Sequence, residues 1–202
     1  MNKLKKIKIC VIRNDKIGDM ILTLPIIKAI KDNYLNSNIS VICSNSNFFL
    51  CEEAQFVDTY NIFDSKDKFF NKIKTLINFR NDTYDVIFNF SQSLETFFLL
   101  LFGRSKYKSN LIYLTRYGNP TYSKIFQRLI TKILNIDYVK VDRNKFFKNK
   151  KNFHQTETMY QLVNNKLDIK KPKSFILIPS KTGKVDIFRH RLLIHLSSRW
   201  IN

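Results

Sequence analysis

The sequence predicts a doubly wound α/β domain with a mostly parallel sheet, and three observations predict it. Short apolar runs rich in β-branched residues recur at Ile7–Ile12, Ile39–Cys43, Thr59–Phe63, Asp85–Phe90 and Asn110–Leu114. Segments with apolar residues at helical spacing separate them, the alternation expected when helices cover both faces of a parallel sheet. The first run also opens into a polar loop ending in Gly18-Asp19, followed at once by a helical pattern. Ligands of such folds bind outside the carboxyl ends of the strands, which is where Arg13 to Gly18 belongs.

Taken in order, Ile7–Ile12 is the first strand and Asp19–Asn33 the first helix, with Asp19 at or beside its first residue. An aspartate there is either a helix N-cap or a functional carboxylate, because the exposed N–H groups and the helix dipole favour negative charge. Pro25 fits a helix start, since proline is tolerated chiefly in the first turn. Ile39–Cys43 is a second strand, Phe48–Ala54 a short helix and Thr59–Phe63 a third strand. Phe69, Phe70, Ile73, Leu76 and Ile77 then recur at helical spacing, with lysines largely off the stripe. Asp85–Phe90 is a nearly continuous apolar strand of the kind buried inside a parallel sheet.

Leu94–Phe102 is apolar almost all round, which predicts a buried helix or one that dips into a membrane, closed by Gly103 at its C-terminus. Beyond the strand at Asn110–Leu114, the series Tyr122, Ile125, Phe126, Leu129, Ile130, Ile133 and Leu134 is an amphipathic stripe, with Lys124, Arg128 and Lys132 on the other side. It predicts either a sheet-covering helix with a solvated basic face or a membrane-surface contact. Residues 143–152 gather basic residues around Phe146 and Phe147, as a solvated loop or a grip for phosphates and anionic headgroups. His154–Leu167 returns to helical spacing. Its His154 and Glu157 are too few for a metal site, so a capping or surface pair is the ordinary reading. Asp168–Lys173 is a linker, and Ser174–Ile178 and Leu192–Leu196 are further strands.

The 202 residues, 44% hydrophobic and 14% aromatic, suffice for a packed globular core. A formal net charge of +19 makes the surface attractive to phosphates, nucleic acid or an anionic bilayer, unless the charge is simply solvated surface. Against nucleic acid, no recognised binding motif occurs and the basic residues are scattered over many elements. Cys10, Cys43 and Cys51 form no C-x-x-C pair and sit in apolar surroundings, the usage of buried thiols in a reducing compartment. The N-terminal apolar stretch is broken by Lys8 and lacks a small-residue cleavage site, so export is not expected.

Arg13, Gly18-Asp19, Thr23 and Pro25, set between a first strand and a first helix, resemble the opening motif of glycosyltransferase family 9, the lipopolysaccharide heptosyltransferases. The resemblance implies a Rossmann-like doubly wound sheet in residues 1–167, the N-terminal, acceptor-binding half of a GT-B glycosyltransferase. Residues 168–202 then form a linker and the beginning of a truncated C-terminal donor-binding domain. It further implies inverting, metal-independent transfer of a heptose from a nucleotide-diphosphate sugar to the lipopolysaccharide core, with no cofactor. The absence of any Asp-x-Asp, the usual metal-diphosphate clamp, agrees with metal independence.

In that family Asp19 corresponds to the proposed general base, with Arg13 and Gly18 in substrate binding. Ser197-Ser198-Arg199-Trp200 resembles the turn that contacts the donor diphosphate, where hydroxyls and a guanidinium stabilise a departing anion. The stretch Asn89-Phe90-Ser91-Gln92-Ser93-Leu94-Glu95 departs from the family's acidic residue, Gln-Gly and basic residue. The expected place is the cytoplasm, with peripheral contact at the inner membrane. The competing expectation is a non-catalytic basic module that binds membrane, nucleic acid or a partner chain.

Overall fold

The computed structural model describes residues 6–64, 67–113, 122–141 and 155–171. Six strands, β1 (Ile7–Ile12), β2 (Ser37–Cys43), β3 (Thr59–Ile62), β4 (Thr83–Asn89), β5 (Arg104–Tyr113) and β6 (Asp137–Val141), form one sheet in the order β3-β2-β1-β4-β5-β6. Every neighbouring pair is parallel. Helices α1 (Ile17–Asn33), α2 (Phe48–Glu53), α3 (Phe69–Asn81), α4 (Leu94–Phe102) and α5 (Tyr122–Ile133) alternate with the strands along the chain, and α6 (Gln155–Asn164) follows β6. This is the doubly wound Rossmann-like order.

Period-two alternation along β1 divides the interior into two cores. Ile7, Ile9 and Val11 point into a core shared with Met20 and Leu24 of α1, Leu50 of α2 and Leu162 of α6. Cys10 and Ile12 point the other way, against Phe79 of α3 and Phe97 and Leu100 of α4. Each of these side chains is almost wholly buried, and such burial stabilises by about 1.5–3 kcal/mol for a large apolar side chain. Cys10, Cys43 and Cys51 are buried and unpaired, and burial pushes the Cys10 thiol pKa up. Among the described residues no helix is long and apolar enough to cross a membrane.

β6 has no counterpart in the sequence reading, and four further local features differ from it. Pro25 lies in the middle of α1, beyond the first turn, so the helix forgoes one backbone hydrogen bond there. β5 begins at Arg104, directly after Gly103, rather than near Asn110. Gly103 ends α4 with φ −59°, so it serves as no left-handed cap. Its glycine is needed for space: a Cβ would stand 2.6 Å from both Ile87 Cδ1 and Phe79 Cε1.

The fourth concerns α5, which has the predicted span but the opposite orientation. Tyr122, Ile125, Phe126, Leu129 and Ile133 are exposed, while Lys124, Gln127 and Thr131 are buried. Lys124 Nζ donates to the Gln92 carbonyl, and Thr131 Oγ1 to the Arg128 carbonyl at 2.9 Å. The polar facet therefore packs inward. Residues 168–171, at the start of the expected linker, run along the domain: Ile169 is buried, and the Lys170 N–H donates to Asn33 Oδ1 at 3.3 Å.

Candidate active site

Strand order reverses between β1 and β4. The chain leaves β1 for α1 on one face and leaves β4 for α4 on the other, which opens a crevice at the carboxyl ends of the two central strands. The loop out of β1 is held from three sides. The Arg13 N–H donates to the Ile42 carbonyl at 2.8 Å. The Asn14 N–H donates to Ser91 Oγ at 3.0 Å, and its side-chain Nδ2 donates to the Phe63 carbonyl at 3.1 Å. Fully buried Asn47 donates from Nδ2 to the carbonyls of Arg13 and Asp15, each at 3.2 Å, while its Oδ1 accepts the Ser44 N–H at 2.8 Å.

That clamp fixes Arg13, whose side chain is 0% exposed. Its Nη2 lies 3.0 Å from Asp19 Oδ1 and its Nη1 3.6 Å from Asp15 Oδ2. Nη1 also donates to the carbonyl of Phe90, the residue that follows β4. The Nη2 contact is an ion pair without hydrogen-bond alignment, and Nε has no acceptor among the described residues. One buried guanidinium thus ties a carboxylate of the β1–α1 loop and one of the first turn of α1 to the chain leaving the neighbouring strand. A charge so deep is tolerated because it is paired.

Asp19 is the third residue of α1. Lys16 holds the N-cap position without a side-chain cap bond, so the Asp19 carboxylate is a first-turn anion rather than the cap. It remains 32% exposed at the crevice, with Gln155 Nε2 donating to its Oδ1 at 3.4 Å. Two further contacts seat the start of α6 on α1. Thr156 Oγ1 donates to the Leu22 carbonyl at 3.3 Å, and Thr23 Oγ1 approaches Met159 Sδ at 3.5 Å. Asp15 is the second carboxylate. Burial raises its pKa above the ordinary carboxylate value, against the opposing pull of Arg13 and a hydrogen bond to Ser91. Gly18 is exposed, and a Cβ built on it would meet no atom within 4 Å.

Arg13, Gly18 and Asp19 therefore come together at the switch point. Arg13 stands behind Asp19, its polar atoms turned to protein groups and none exposed to a ligand. Ser197, Ser198 and Arg199 lie outside the described residues, as do the basic cluster at 143–152, His154, and the strands expected at 174–178 and 192–196. Asn89 serves the sheet, with Nδ2 donating to Asn110 Oδ1 at 2.9 Å and Oδ1 accepting the Ser91 N–H at 3.2 Å. Glu95 pairs with Lys72 of α3 at 2.8 Å. Asn47 and Gln155 carry no motif of their own. In the sequence Asn47 is one of several turn-forming residues in Ser44-Asn45-Ser46-Asn47, and only the fold shows that it is buried.

No family model matches the sequence, and no curated protein sequence matches it. Solved structures do match in fold. A glycosyl transferase family 9 protein from Veillonella parvula superposes with a TM-score of 0.58 at 16% identity, over 79% of this chain and 41% of that one. The E. coli heptosyltransferase WaaC with ADP-2-deoxy-2-fluoro heptose gives 0.60 at 11% identity, over 83% and 50%. E. coli ADP-heptose lps heptosyltransferase II gives 0.55 at 16%, over 77% and 39%. The chain thus spans half or less of the length of these structures. The Rossmann-like parallel sheet of this protein, with its crevice at the β1/β4 switch point, has the fold found in solved family 9 glycosyltransferases.

Proposed function

We propose that this chain forms the acceptor-binding half of a heptosyltransferase-type glycosyltransferase, with Asp19 as its general base. The observation that carries the reading is the partly exposed Asp19 carboxylate at the start of α1, held by Arg13 and Gln155 beyond the carboxyl end of β1. Its opening motif resembles that of family 9, and neighbours of the same fold include WaaC with an ADP-heptose analogue.

In the proposed inverting step, Asp19 takes the proton of the acceptor hydroxyl as that oxygen bonds to the anomeric carbon of the heptose. The bond from the anomeric carbon to the nucleoside diphosphate breaks, and the electron pair leaves with the diphosphate. No metal takes part. Ser197, Ser198 and Arg199 would stabilise the charge on the leaving group. Arg13 orients Asp19 instead of contacting substrate, because its guanidinium is buried and spent on Asp19, Asp15 and Phe90. The acceptor would be the lipopolysaccharide core.

The test is transfer from an ADP-heptose donor to a heptose-free core acceptor by the chain completed with a donor-binding domain, followed by mass spectrometry in the presence and absence of EDTA. Asp19→Asn is expected to lower turnover by about 10²–10⁴-fold, the usual worth of a general base. EDTA is expected to leave the rate unchanged. Turnover of Asp19→Asn within about twofold of wild type under saturating substrates would refute the general-base role.

A further inference from the structure

A polar cleft lies between the sheet and α3, beginning at the amino ends of β1, β2 and β3. Along β2, Ile39 and Val41 are buried in the core on the α1 side, so Asn38 and Ser40 face the α3 side. The parallel register sets Lys8 of β1 beside Asn38, Thr59 of β3 beside Ser40, and Asn61 beside Ile42. A strand face turned toward a covering helix is ordinarily apolar, but here it is polar across three strands. The opposite wall is α3. Its Thr75 and Asn78 and the C-capping Asp82 recur at helical spacing and line the same space, while Phe70 and Ile77 are left 81% and 54% exposed. The cleft has a volume of about 410 Å³ and continues past Asn61 and Asp82 into a recess of about 90 Å³.

The floor of the cleft is held in place by a chain of hydroxyl groups. Ser40 and Tyr84 are only 6% and 5% exposed. The Tyr84 hydroxyl donates to Asp82 Oδ2 at 3.3 Å and accepts a hydrogen bond from Ser40. With its own hydrogen committed to Tyr84, Ser40 Oγ accepts that of Thr59 Oγ1, 2.7 Å away. The chain therefore runs in one direction, and the exposed residues at its two ends, Thr59 and Asp82, offer free lone pairs. The side-chain amides of Asn38, Asn61 and Asn78 make no hydrogen bond among the described residues, and they add donors as well as acceptors. Lys8 is the single cation and Asp82 the single anion among the described lining residues, so the cleft carries no net charge.

We infer that this cleft binds an uncharged mono- or oligosaccharide, at the other end of the strands from Asp19. Each sugar hydroxyl both donates and accepts, which matches fixed acceptors on Thr59 and Asp82 set among unpaired amides. In the recess Ile62 and Phe79 supply apolar atoms for the C–H face of a sugar ring. The volume falls within the roughly 300–1,000 Å³ of small-molecule sites. An anion would meet Asp82 and a cation would meet Lys8, so a charged ligand finds no unopposed counter-charge. The inference stands whether or not the protein transfers sugars.

The experiment is an NMR titration of the isotope-labelled full chain with glucose, mannose, galactose, N-acetylglucosamine, maltose and lactose at millimolar concentrations. Inorganic phosphate and glucosamine serve as charged controls. At least one uncharged sugar is expected to shift the backbone amides of Asn38, Thr59, Asn61 and Asn78 saturably. Asn61→Ala/Asn78→Ala should weaken that binding by about tenfold or more, as the loss of two hydrogen bonds requires. Both side chains are exposed and alanine favours the helix at position 78, so the variant keeps its fold, which circular dichroism checks. Thr59→Val, which suits a strand but removes the acceptor at the end of the hydroxyl chain, should also weaken binding. Four outcomes would overturn the inference: no uncharged sugar shifting these amides, shifts confined to residues 13–19 of the crevice, equal binding by the double-Ala variant, or a charged control that binds here more tightly than every uncharged sugar.

Discussion

The Arg13 guanidinium lies 3.0 Å from the Asp19 carboxylate, wholly buried behind a carboxylate that is itself 32% exposed. The cation cannot turn to solvent, so it sets where the anion points. Replacing Arg13 by Met keeps much of the volume and removes the charge, depriving Asp15 and Asp19 of the guanidinium they share. Breaking a buried pair from one side costs about 3–5 kcal/mol. Arg13→Met should therefore lower urea-unfolding stability by about 3 kcal/mol, the low end because both carboxylates retain some solvent. A loss under about 1 kcal/mol would mean that the guanidinium holds little of the loop in place.

Asp15 should give stability a dependence on pH of the less usual sign. Its pKa is raised in the folded state, chiefly by burial. Between the unfolded and folded values the native protein therefore binds more protons than the unfolded chain, and stability falls as pH rises through that window. Asp15→Asn keeps a polar group near Ser91 but removes the titration. The variant should gain on wild type as pH rises above the ordinary carboxylate range and lose that advantage below it. Parallel urea titrations across acid to neutral pH measure the difference, and a gap that does not change with pH would show that Asp15 is not the source.

Gly18 separates a stability requirement from a functional one. A Cβ there meets no atom within 4 Å, and glycine in a helix costs up to about 1 kcal/mol relative to alanine. Gly18→Ala should be neutral or slightly stabilising in thermal unfolding. If a sugar or phosphate approaches the backbone at the start of α1, the same variant should lose transfer activity while keeping its fold. Full activity in a stable Gly18→Ala protein would mean that no ligand comes close at that position.

Much of this architecture was legible because strands buried on both faces announce themselves. β1, β2 and β4 are short β-branched runs, and the helices between them repeat at helical spacing. The start of α1 and the gathering of Arg13, Gly18 and Asp19 followed from the strand-loop-helix pattern. β6 was harder, because Asp137-Tyr138-Val139-Lys140-Val141 is short, half polar and at the sheet edge. Helix α5 shows the limit of periodicity. Its pattern gives the helix and its two sides correctly, but burial depends on what surrounds each side, and here Lys124 and Gln127 find the interior. Asn47 and Gln155 stayed hidden because their roles depend on residues 32 to 136 positions away in the chain.

Gly103 allows a test of close packing free of functional complications. Its Cα sits where α4 turns straight into β5, and an added methyl group would stand 2.6 Å from Ile87 Cδ1 and from Phe79 Cε1. Its φ of −59° suits any residue, so backbone strain does not enter. The penalty of Gly103→Ala is then steric, and overpacking of this kind costs about 1–3 kcal/mol. Shortening Ile87 to Val removes one of the two clashing atoms at an ordinary cost of about 0.5–1.5 kcal/mol. The double variant Gly103→Ala/Ile87→Val should be less destabilised than the sum of the single variants, by about 0.5 kcal/mol or more in a double-mutant cycle of urea-unfolding measurements. Additivity would mean that the Phe79 ring alone opposes the methyl group, and Phe79→Leu would then be the substitution that relieves it.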